Sequence, residues 1–323
     1  MSGAEPFDGL TAAQRALLRR GPLPRAVEPM KAVLTTDRFS DVGWIFERKL
    51  DGIRCIATND GRRARLASRN GLSLDERFPE IAEAVLAAGE LPFVVDGEIV
   101  AFDGAQTSFE RLQQRGREAV PVFLYVFDLL YLEDCDTTRL PLLARKSLLR
   151  TALALRGPLR YTVHRRRDGE RLFRDACARG WEGLIAKRAD APYTHGRSRD
   201  WLKFKCSAEQ ELVIGGYTAP RGSRSDLGAL LLGYYADGRL RYAGKVGTGF
   251  TRQTLHDLAA RLAPLRRPRS PFAEEVREPA TAWVEPQLVA QVAFTEWTRD
   301  GRLRHPRFLG LREDKPAREV VRE

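Results

Sequence analysis

The chain has 323 residues, 43% hydrophobic and 30% charged, enough to bury one large or two ordinary cores. Its net charge of +11 favours a polyanionic partner, because summed positive potential draws in phosphate backbones, although arginine-rich solvated faces would give the same figure. No apolar run is long enough to span a bilayer, and MSGAEPFDGL lacks the charged-then-apolar order of a signal peptide, so a cytoplasmic protein without membrane association is expected.

Residues 1–28 read as an extended lead-in rich in Arg, Pro and Ala. A folded domain is expected over 29–206, with short strand-type runs alternating with amphipathic helices. RARLASR alternates with period 2, while FVVDGEIVAF and VFLYVFDLLYL are nearly continuous apolar runs suited to strands buried in a sheet. PEIAEAVLAA, LARKSLLRTALAL and GERLFRDACARG carry apolar residues at helical spacing, the last ending at Gly180. This irregular mixture predicts an α+β domain of antiparallel sheets with flanking helices.

From 207 to 323 the texture changes. ELVIGGYT, GALLLGYYADGRLRYAGKVG, VAQVAFTEWT and GRLRHPRF read as strands joined by Gly-containing turns, with Asp237-Gly238 as a hairpin. One helix, TRQTLHDLAARLAPL, interrupts them. About five strands and a helix fit a small barrel of the OB type, which commonly binds oligonucleotides. Trp297 and His305 read as barrel core and strand edge, and the loop from Ala219 to Gly228 as either a DNA-backbone contact or a solvated hairpin.

The four cysteines, Cys55, Cys135, Cys177 and Cys206, include no C-x-x-C pair, and the four histidines show no metal spacing. Zinc chemistry is set aside. The cysteines are expected to be buried small residues in a reducing compartment, without a disulfide framework.

Chemistry concentrates around WIFERKLDGIRC, where Lys49 interrupts an apolar strand-like run and Asp51-Gly52 imposes a turn that allows close approach of a ligand. Arg54 follows with a guanidinium fork suited to phosphate or ribose. VVDGEIV places Glu98 at another acidic turn, EGLIAKR puts Glu182 and Lys187 on one strand, and WLKFK presents Lys203 and Lys205 on one face. Several cations and two carboxylates able to hold a divalent ion would converge if these strands share a cleft. A lysine nucleophile must lose its proton, and Arg48, Lys187 and Lys203 with partial burial are expected to favour that loss.

The ordered set E-x-K-x-D-G-x-R (Glu47 to Arg54), S-R-N-G (Ser68 to Gly71), D-G-E (Asp96 to Glu98), F-D-L (Phe127 to Leu129), E-G-L-I-A-K (Glu182 to Lys187), W-L-K-F-K (Trp201 to Lys205) and R-x-D-K (Arg312 to Lys315) resembles the covalent nucleotidyltransferases. It is most similar to ATP-dependent DNA ligases, and to the ligase module of bacterial non-homologous end-joining proteins. K-x-D-G alone is short; seven motifs in order are specific.

The resemblance implies a nucleotidyltransferase (adenylation) domain followed by an OB-fold domain, with ATP and Mg²⁺ or Mn²⁺ as cofactors. Lys49 would take AMP from ATP, pass it to the 5′-phosphate at a nick, and the 3′-hydroxyl would then seal the strand. Glu47 matches the residue that reads the adenine amino group, and Arg54 and Arg69 match contacts to nucleotide phosphate, ribose or 5′-phosphate. Glu98 matches a ribose or metal contact, Phe127 the aromatic that stacks on adenine, and Glu182 a metal-associated carboxylate; locally, Phe127 also reads as core filler.

Lys187, Lys203 and Lys205 match phosphate-binding lysines, and Arg197 an arginine that approaches the nucleotide, with Arg199 as competitor. Arg312 and Lys315 would orient the pyrophosphate leaving group. The partners implied are duplex DNA with nicks or ends, a Ku-type end-binding protein and separate end-processing enzymes, with the ligase a nucleoid-associated monomer. Rival readings are an RNA ligase, a GTP-dependent capping-type nucleotidyltransferase, and a non-catalytic DNA-binding module.

Overall fold

Alternating burial decides where the strands run: in Ala64–Ser68, Ala64, Leu66 and Ser68 are buried while Arg65 is exposed. A computed structural model describes residues 6–115, 119–206, 208–220, 226–298 and 300–322. They form two compact units, Met1–Cys206 and Ser207–Glu323.

The first unit opens with α1 (Ala12–Arg15), β1 (Arg19–Arg20) and β2 (Met30–Leu34). There follow β3 (Trp44–Arg48), β4 (Ile53–Asn59), β5 (Ala64–Ser68), α2 (Pro79–Leu86), β6 (Phe93–Asp103), β7 (Gln106–Thr107) and α3 (Phe109–Gln114). Next come β8 (Val122–Leu132), β9 (Cys135–Asp136), α4 (Leu142–Ala152), β10 (Leu159–Tyr161), β11 (His164–Arg166), α5 (Gly169–Ala178), β12 (Gly183–Arg188) and β13 (Gly196–Lys205). The apolar runs and helical spacings of the sequence thus become β5, β6, β8, α2, α4 and α5.

Two sheets result. One has the order β1-β9-β8-β6-β4-β5, with β10 added to β8 and β7 to β6; the other is β11-β3-β12-β13-β2. Most pairs are antiparallel, but β10–β8 and β13–β2 run parallel. One face of the first sheet packs through Ile53, Cys55, Leu66 and Val95 against Ile81 and Val85 of α2. The back of the second sheet, with Phe46, Leu184, Ala186, Leu202 and Phe204, packs on Ala176, Leu172 and Phe173 of α5. Between the two sheets lies a third cluster, with Ile56, Val94 and Phe127 from the first and Met30 and Trp201 from the second. The lead-in residues are anchored too, since Leu10 is buried in the main core and Arg19 pairs with Asp136.

The cysteine expectation needs correction. Cys177 and Cys206 are joined in a disulfide, Cα–Cα 5.3 Å, fastening the end of α5 beside the end of β13. Their sequence separation of 29 gave no local signal, because antiparallel pairing of β12 with β13 brings the two ends together. Cys55 and Cys135 are free and buried.

The second unit contains β14 (Ala208–Thr218), β15 (Leu230–Ala236), β16 (Arg239–Val246), α6 (Arg252–Leu262), β17 (Arg266–Arg267), β18 (Thr281–Val284), β19 (Val289–Phe294) and β20 (Arg307–Arg312). Long β14 is the hub, pairing with β15, β18 and β19, while β16 extends β15 and β20 extends β19. Leu255, Leu258 and Leu262 of α6 join the barrel core. The strand expected over GRLRHPRF lies further along, at Arg307–Arg312, because His305 has φ 51° and Pro306 cannot donate to a ladder. His305 is accordingly an exposed turn residue, and Trp297 packs on the core beside Phe294 and Tyr234. Residues 221–225 of the Ala219–Gly228 loop lie outside the described residues.

The first unit's interior also holds charge. Arg145 of α4 and Asp128 of β8, both 0% exposed, form a bidentate pair at 2.7 and 2.9 Å, and Arg145 Nη1 also donates to Leu140 O and Ala191 O. Removing one partner strands the other in a dry interior. Asp128→Ala is therefore expected to destabilise the first unit by about 3–5 kcal/mol in urea denaturation, whereas the double replacement Asp128→Leu/Arg145→Met recovers most of the loss.

Candidate active site

Directly opposed residues in an antiparallel ladder point to the same face, and the register of β3, β12 and β13 therefore assembles one surface. Glu47 pairs with Ile185 and Ile185 with Lys203; Ile45 pairs with Lys187 and Lys187 with Trp201; Gly183 pairs with Lys205. Lys49, just past the end of β3, continues the ladder by donating its N–H to Gly183 O at 3.0 Å. Lys49, Glu47, Lys187, Lys203 and Lys205 thus share the sheet face opposite α5. The expected central position of Lys49 in a strand is corrected: it follows the strand's last residue, Arg48.

Two motif glycines sit where backbones crowd. A Cβ on Gly52 would collide with Ile99 O, and one on Gly183, φ 147°, with Phe204 O. At Gly52 the close approach is to β6 of the protein itself, not to a ligand. Asp51 turns inward, its Oδ2 accepting the Phe109 N–H at 3.2 Å at the start of α3.

The Lys49 ammonium makes an ion pair with Glu182 Oε1, the two side chains 17% and 8% exposed. Arg48, expected to influence Lys49, points to the other face, over the Trp181 ring at 4.5 Å with Nη2 on Ala105 O, as adjacent strand residues must. Glu182 Oε2 is buried with no hydrogen-bond partner among the described residues. A lone carboxylate oxygen beside Lys49 fits a hard divalent cation, which prefers oxygen ligands and takes the rest from phosphate and water. Among the described residues no group of three or more His, Cys, Asp or Glu side chains could enclose a metal by itself.

Glu47, 2% exposed, faces two ammonium groups: Lys146 of α4 donates to Oε1, and Lys187 is ion-paired with Oε2 at 2.6 Å without a hydrogen bond among the described residues. Burial alone would raise the Glu47 pKa, but the two lysines outweigh it and hold the carboxyl below the ordinary range. One carboxylate cannot fully compensate two buried ammoniums, and burial with the neighbouring Lys146 charge pushes Lys187 down to about 8 despite Glu47. The Lys187 ammonium also lies over the rings of Phe127 and Trp201 at 4.1 and 4.0 Å. Lys187, expected as a phosphate ligand, is thus engaged by Glu47 and two aromatic faces. Lys146 was missed, although a lysine at an apolar-face position between Leu142 and Leu149 was the available signal.

From the opposing sheet, Arg54 faces the same cluster. Its fork is taken by Asp96 at 2.5 and 2.6 Å, Nη2 also reaches Met30 O, and Tyr193 Oη donates to Asp96 at 2.6 Å. The guanidinium lies 4.7 Å from the Phe127 ring centroid. Phe127 is 7% exposed and meets Trp201 edge-on at 5.9 Å, so it is core filler and part of the site wall at once. Glu98 pairs directly with Arg54 in the ladder, and Arg69 falls in the turn after the Cys55–Ser68 pair.

Arg197 is exposed at the other end of β13, Nη1 on Ala32 O at 3.4 Å, and Arg199 is exposed as well. In the second unit Arg312 is held by Asp314 at 2.8 and 2.9 Å, and Lys315 by Glu211.

The Lys146–Glu47–Lys187 group sets a pH dependence. Because the folded Glu47 pKa is depressed, its contribution to stability is complete above the unfolded value of about 4.5 and is lost as pH falls through the lower folded value. Glu47→Gln should lack this acid limb and lose about 3–5 kcal/mol at pH 7, since two lysines then lose their counter-ion. For Lys187 the folded value near 8 lies below the ordinary 10.5, so stability rises with pH between the two. Urea midpoints measured from pH 3 to 10 check both limbs.

Comparison with known proteins agrees with this architecture. Residues 24–205 match the model of the ATP dependent DNA ligase domain, and residues 223–315 that of the ATP dependent DNA ligase C terminal region. The multifunctional non-homologous end joining protein LigD of Pseudomonas aeruginosa is 40% identical over 313 residues, 94% of this chain and 37% of the relative. The corresponding DNA repair protein of Mycobacterium tuberculosis is 40% identical over 290 residues, 87% of this chain and 37% of the relative. The chain therefore spans little more than a third of the length of these curated relatives. Among solved structures, a mycobacterial DNA ligase D complexed with ATP and MES superimposes with a TM-score of 0.69 at 36% identity, covering 92% of this chain and 98% of that one. The first unit is an α+β adenylation-type domain and the second an OB fold, and the chain belongs to the ATP-dependent DNA ligase family.

Proposed function

We propose that this chain seals nicks and broken ends in duplex DNA in double-strand-break repair by non-homologous end joining, with Lys49 as the nucleophile. The observation that carries this reading is the placement of Lys49, in contact with Glu182, on a face shared with Glu47, Lys187, Lys203 and Lys205.

In the first step the Lys49 Nζ lone pair attacks the α-phosphorus of ATP, an N–P bond forms, the bond to pyrophosphate breaks, and lysyl-AMP results. Nζ must first lose its proton, and Glu182 Oε1 is the basic atom in contact with it. AMP then passes to the 5′-phosphate at a nick, regenerating Lys49. Attack by the 3′-hydroxyl forms the phosphodiester and releases AMP.

Glu47 would accept from the adenine amino group, Phe127 would present its ring to the base, and Glu98 would contact the ribose. Arg54, Arg69, Lys203 and Lys205 would face phosphates. Lys187 acts through Glu47, and Arg197 would approach the nucleotide from the exposed end of β13. Arg312 and Lys315 would orient pyrophosphate. Glu182 and Glu98 would hold Mg²⁺ or Mn²⁺, which when bound stabilises charge on the transferring phosphoryl group and the leaving pyrophosphate.

A Ku-type end-binding protein, separate end-processing enzymes, a monomeric state and a cytoplasmic, nucleoid-associated location complete the proposal. No helix among the described residues is long and apolar enough to cross a membrane.

Incubation with α-labelled ATP, GTP or NAD and Mg²⁺ or Mn²⁺, followed by denaturation, should leave label on the protein from ATP alone. Lys49→Ala should abolish it, and Glu182→Ala should slow it by roughly a hundredfold. Label from GTP would point instead to capping-type chemistry, and sealing of nicked RNA but not nicked DNA to an RNA ligase. An end-binding protein that leaves the joining rate of blunt ends unchanged would count against the partner assignment.

A further inference from the structure

We propose that Lys146 is a positioning residue that makes the site select adenine over guanine nucleotides, by fixing Glu47 as a pure hydrogen-bond acceptor. This deepens the reading above and rests on Glu47 being the residue that faces the base.

The Lys146 ammonium is 1% exposed and fully engaged. It is paired with Glu47 Oε1, donates to Phe127 O at 3.3 Å and to Thr162 O at 3.1 Å, and lies 4.6 Å from the Tyr161 ring centroid. Two of these anchors are backbone carbonyls, so the ammonium cannot follow Glu47 if that side chain turns. It defines where Oε1 must be.

Lys187 contributes differently. Its Nζ lies 2.6 Å from Oε2 but makes no hydrogen bond among the described residues and faces two aromatic rings, leaving Lys146, held by three acceptors, as the firmer counter-ion.

An ionised carboxylate has lone pairs and no donor. At the same edge of the base, adenine presents an amino hydrogen and guanine a carbonyl oxygen. A carboxylate held ionised and in place accepts from the first and repels the second. If it were protonated it would carry a donor and lose that discrimination; if displaced, it would lose the adenine bond. The permanent charge needed for base choice therefore comes from α4, far from the nucleophile in sequence.

The test measures lysyl-nucleotide formation against ATP and GTP concentration for the unsubstituted chain, Lys146→Gln and Lys146→Arg. Circular dichroism melts check that each variant folds. Gln keeps a donor for the two carbonyls without the charge, and Arg keeps the charge. Lys146→Gln should raise KM for ATP roughly tenfold or more with little change at saturating ATP, and the preference for ATP over GTP should fall by a similar factor. Lys146→Arg should restore part of both.

Equal losses with both nucleotides, or a loss confined to the saturated rate, would overturn the assignment. Should Lys146→Gln not fold, purine riboside triphosphate, which lacks the 6-amino group, decides on the unsubstituted chain: KM close to that of ATP overturns the proposal, and roughly tenfold weaker use supports it. Absence of any label from ATP on the unsubstituted chain would instead sink the ligase reading, and this inference with it.

Discussion

A single carboxylate shared by two buried ammonium groups organises the first unit. Glu47 belongs to one sheet, Lys187 to the neighbouring strand of that sheet, and Lys146 to a helix packed against the other sheet. The triad therefore ties α4, which packs on the other sheet, to the hydrogen-bonded β3–β12 ladder. Such groups rarely improve net stability over an apolar core, but their directionality admits few alternative packings. Arg145, adjacent in α4, makes a second buried pair with Asp128 of β8, so successive residues of one helix tie it to both sheets.

Residues that carry chemistry also carry structure here. Gly52 and Gly183 are required because backbones cross at those points, which places the chain three residues after Lys49 and immediately after Glu182. Arg54, by gripping Asp96 and the Met30 carbonyl, links β4 to β2 in the opposing sheet. Phe127 and Trp201 pack edge-on between the sheets while offering their faces to Lys187. Substituting any of these would alter fold and site together.

The legibility of the molecule follows the range of its interactions. β5, β6, β8 and α2 are short-range patterns, visible as alternation in RARLASR, as continuous apolar runs in FVVDGEIVAF and VFLYVFDLLYL, and as helical spacing in PEIAEAVLAA. The shared face of Lys49, Glu47 and Lys203 was legible only as period-2 parity within each strand, because which strands adjoin is decided by pairing across distant segments. Lys146 was legible only as a lysine on the apolar face of its helix, a signal that does not name its partner. The Cys177–Cys206 bond was hidden because its two ends meet only through strand pairing, and the GRLRHPRF strand was misplaced because the veto of Pro306 was not applied.

At least five of the nine cations assigned to phosphate or to catalysis stand against a carboxylate of their own unit. Lys49 meets Glu182, Arg54 meets Asp96 and Lys187 meets Glu47; in the second unit Arg312 meets Asp314 and Lys315 meets Glu211. These carboxylates hold long side chains in place, so less conformational entropy is lost when a ligand arrives. They also set a threshold, because a phosphate must offer at least as much as the carboxylate it displaces. Exposure separates the cases: Asp96 is fully buried and cannot be exchanged cheaply, so Arg54 stays a fixed positive wall, whereas Lys49 and Glu182 keep some solvent contact. Parting Lys49 from Glu182 therefore leaves no fully buried charge unpaired, as parting Arg54 from Asp96 would.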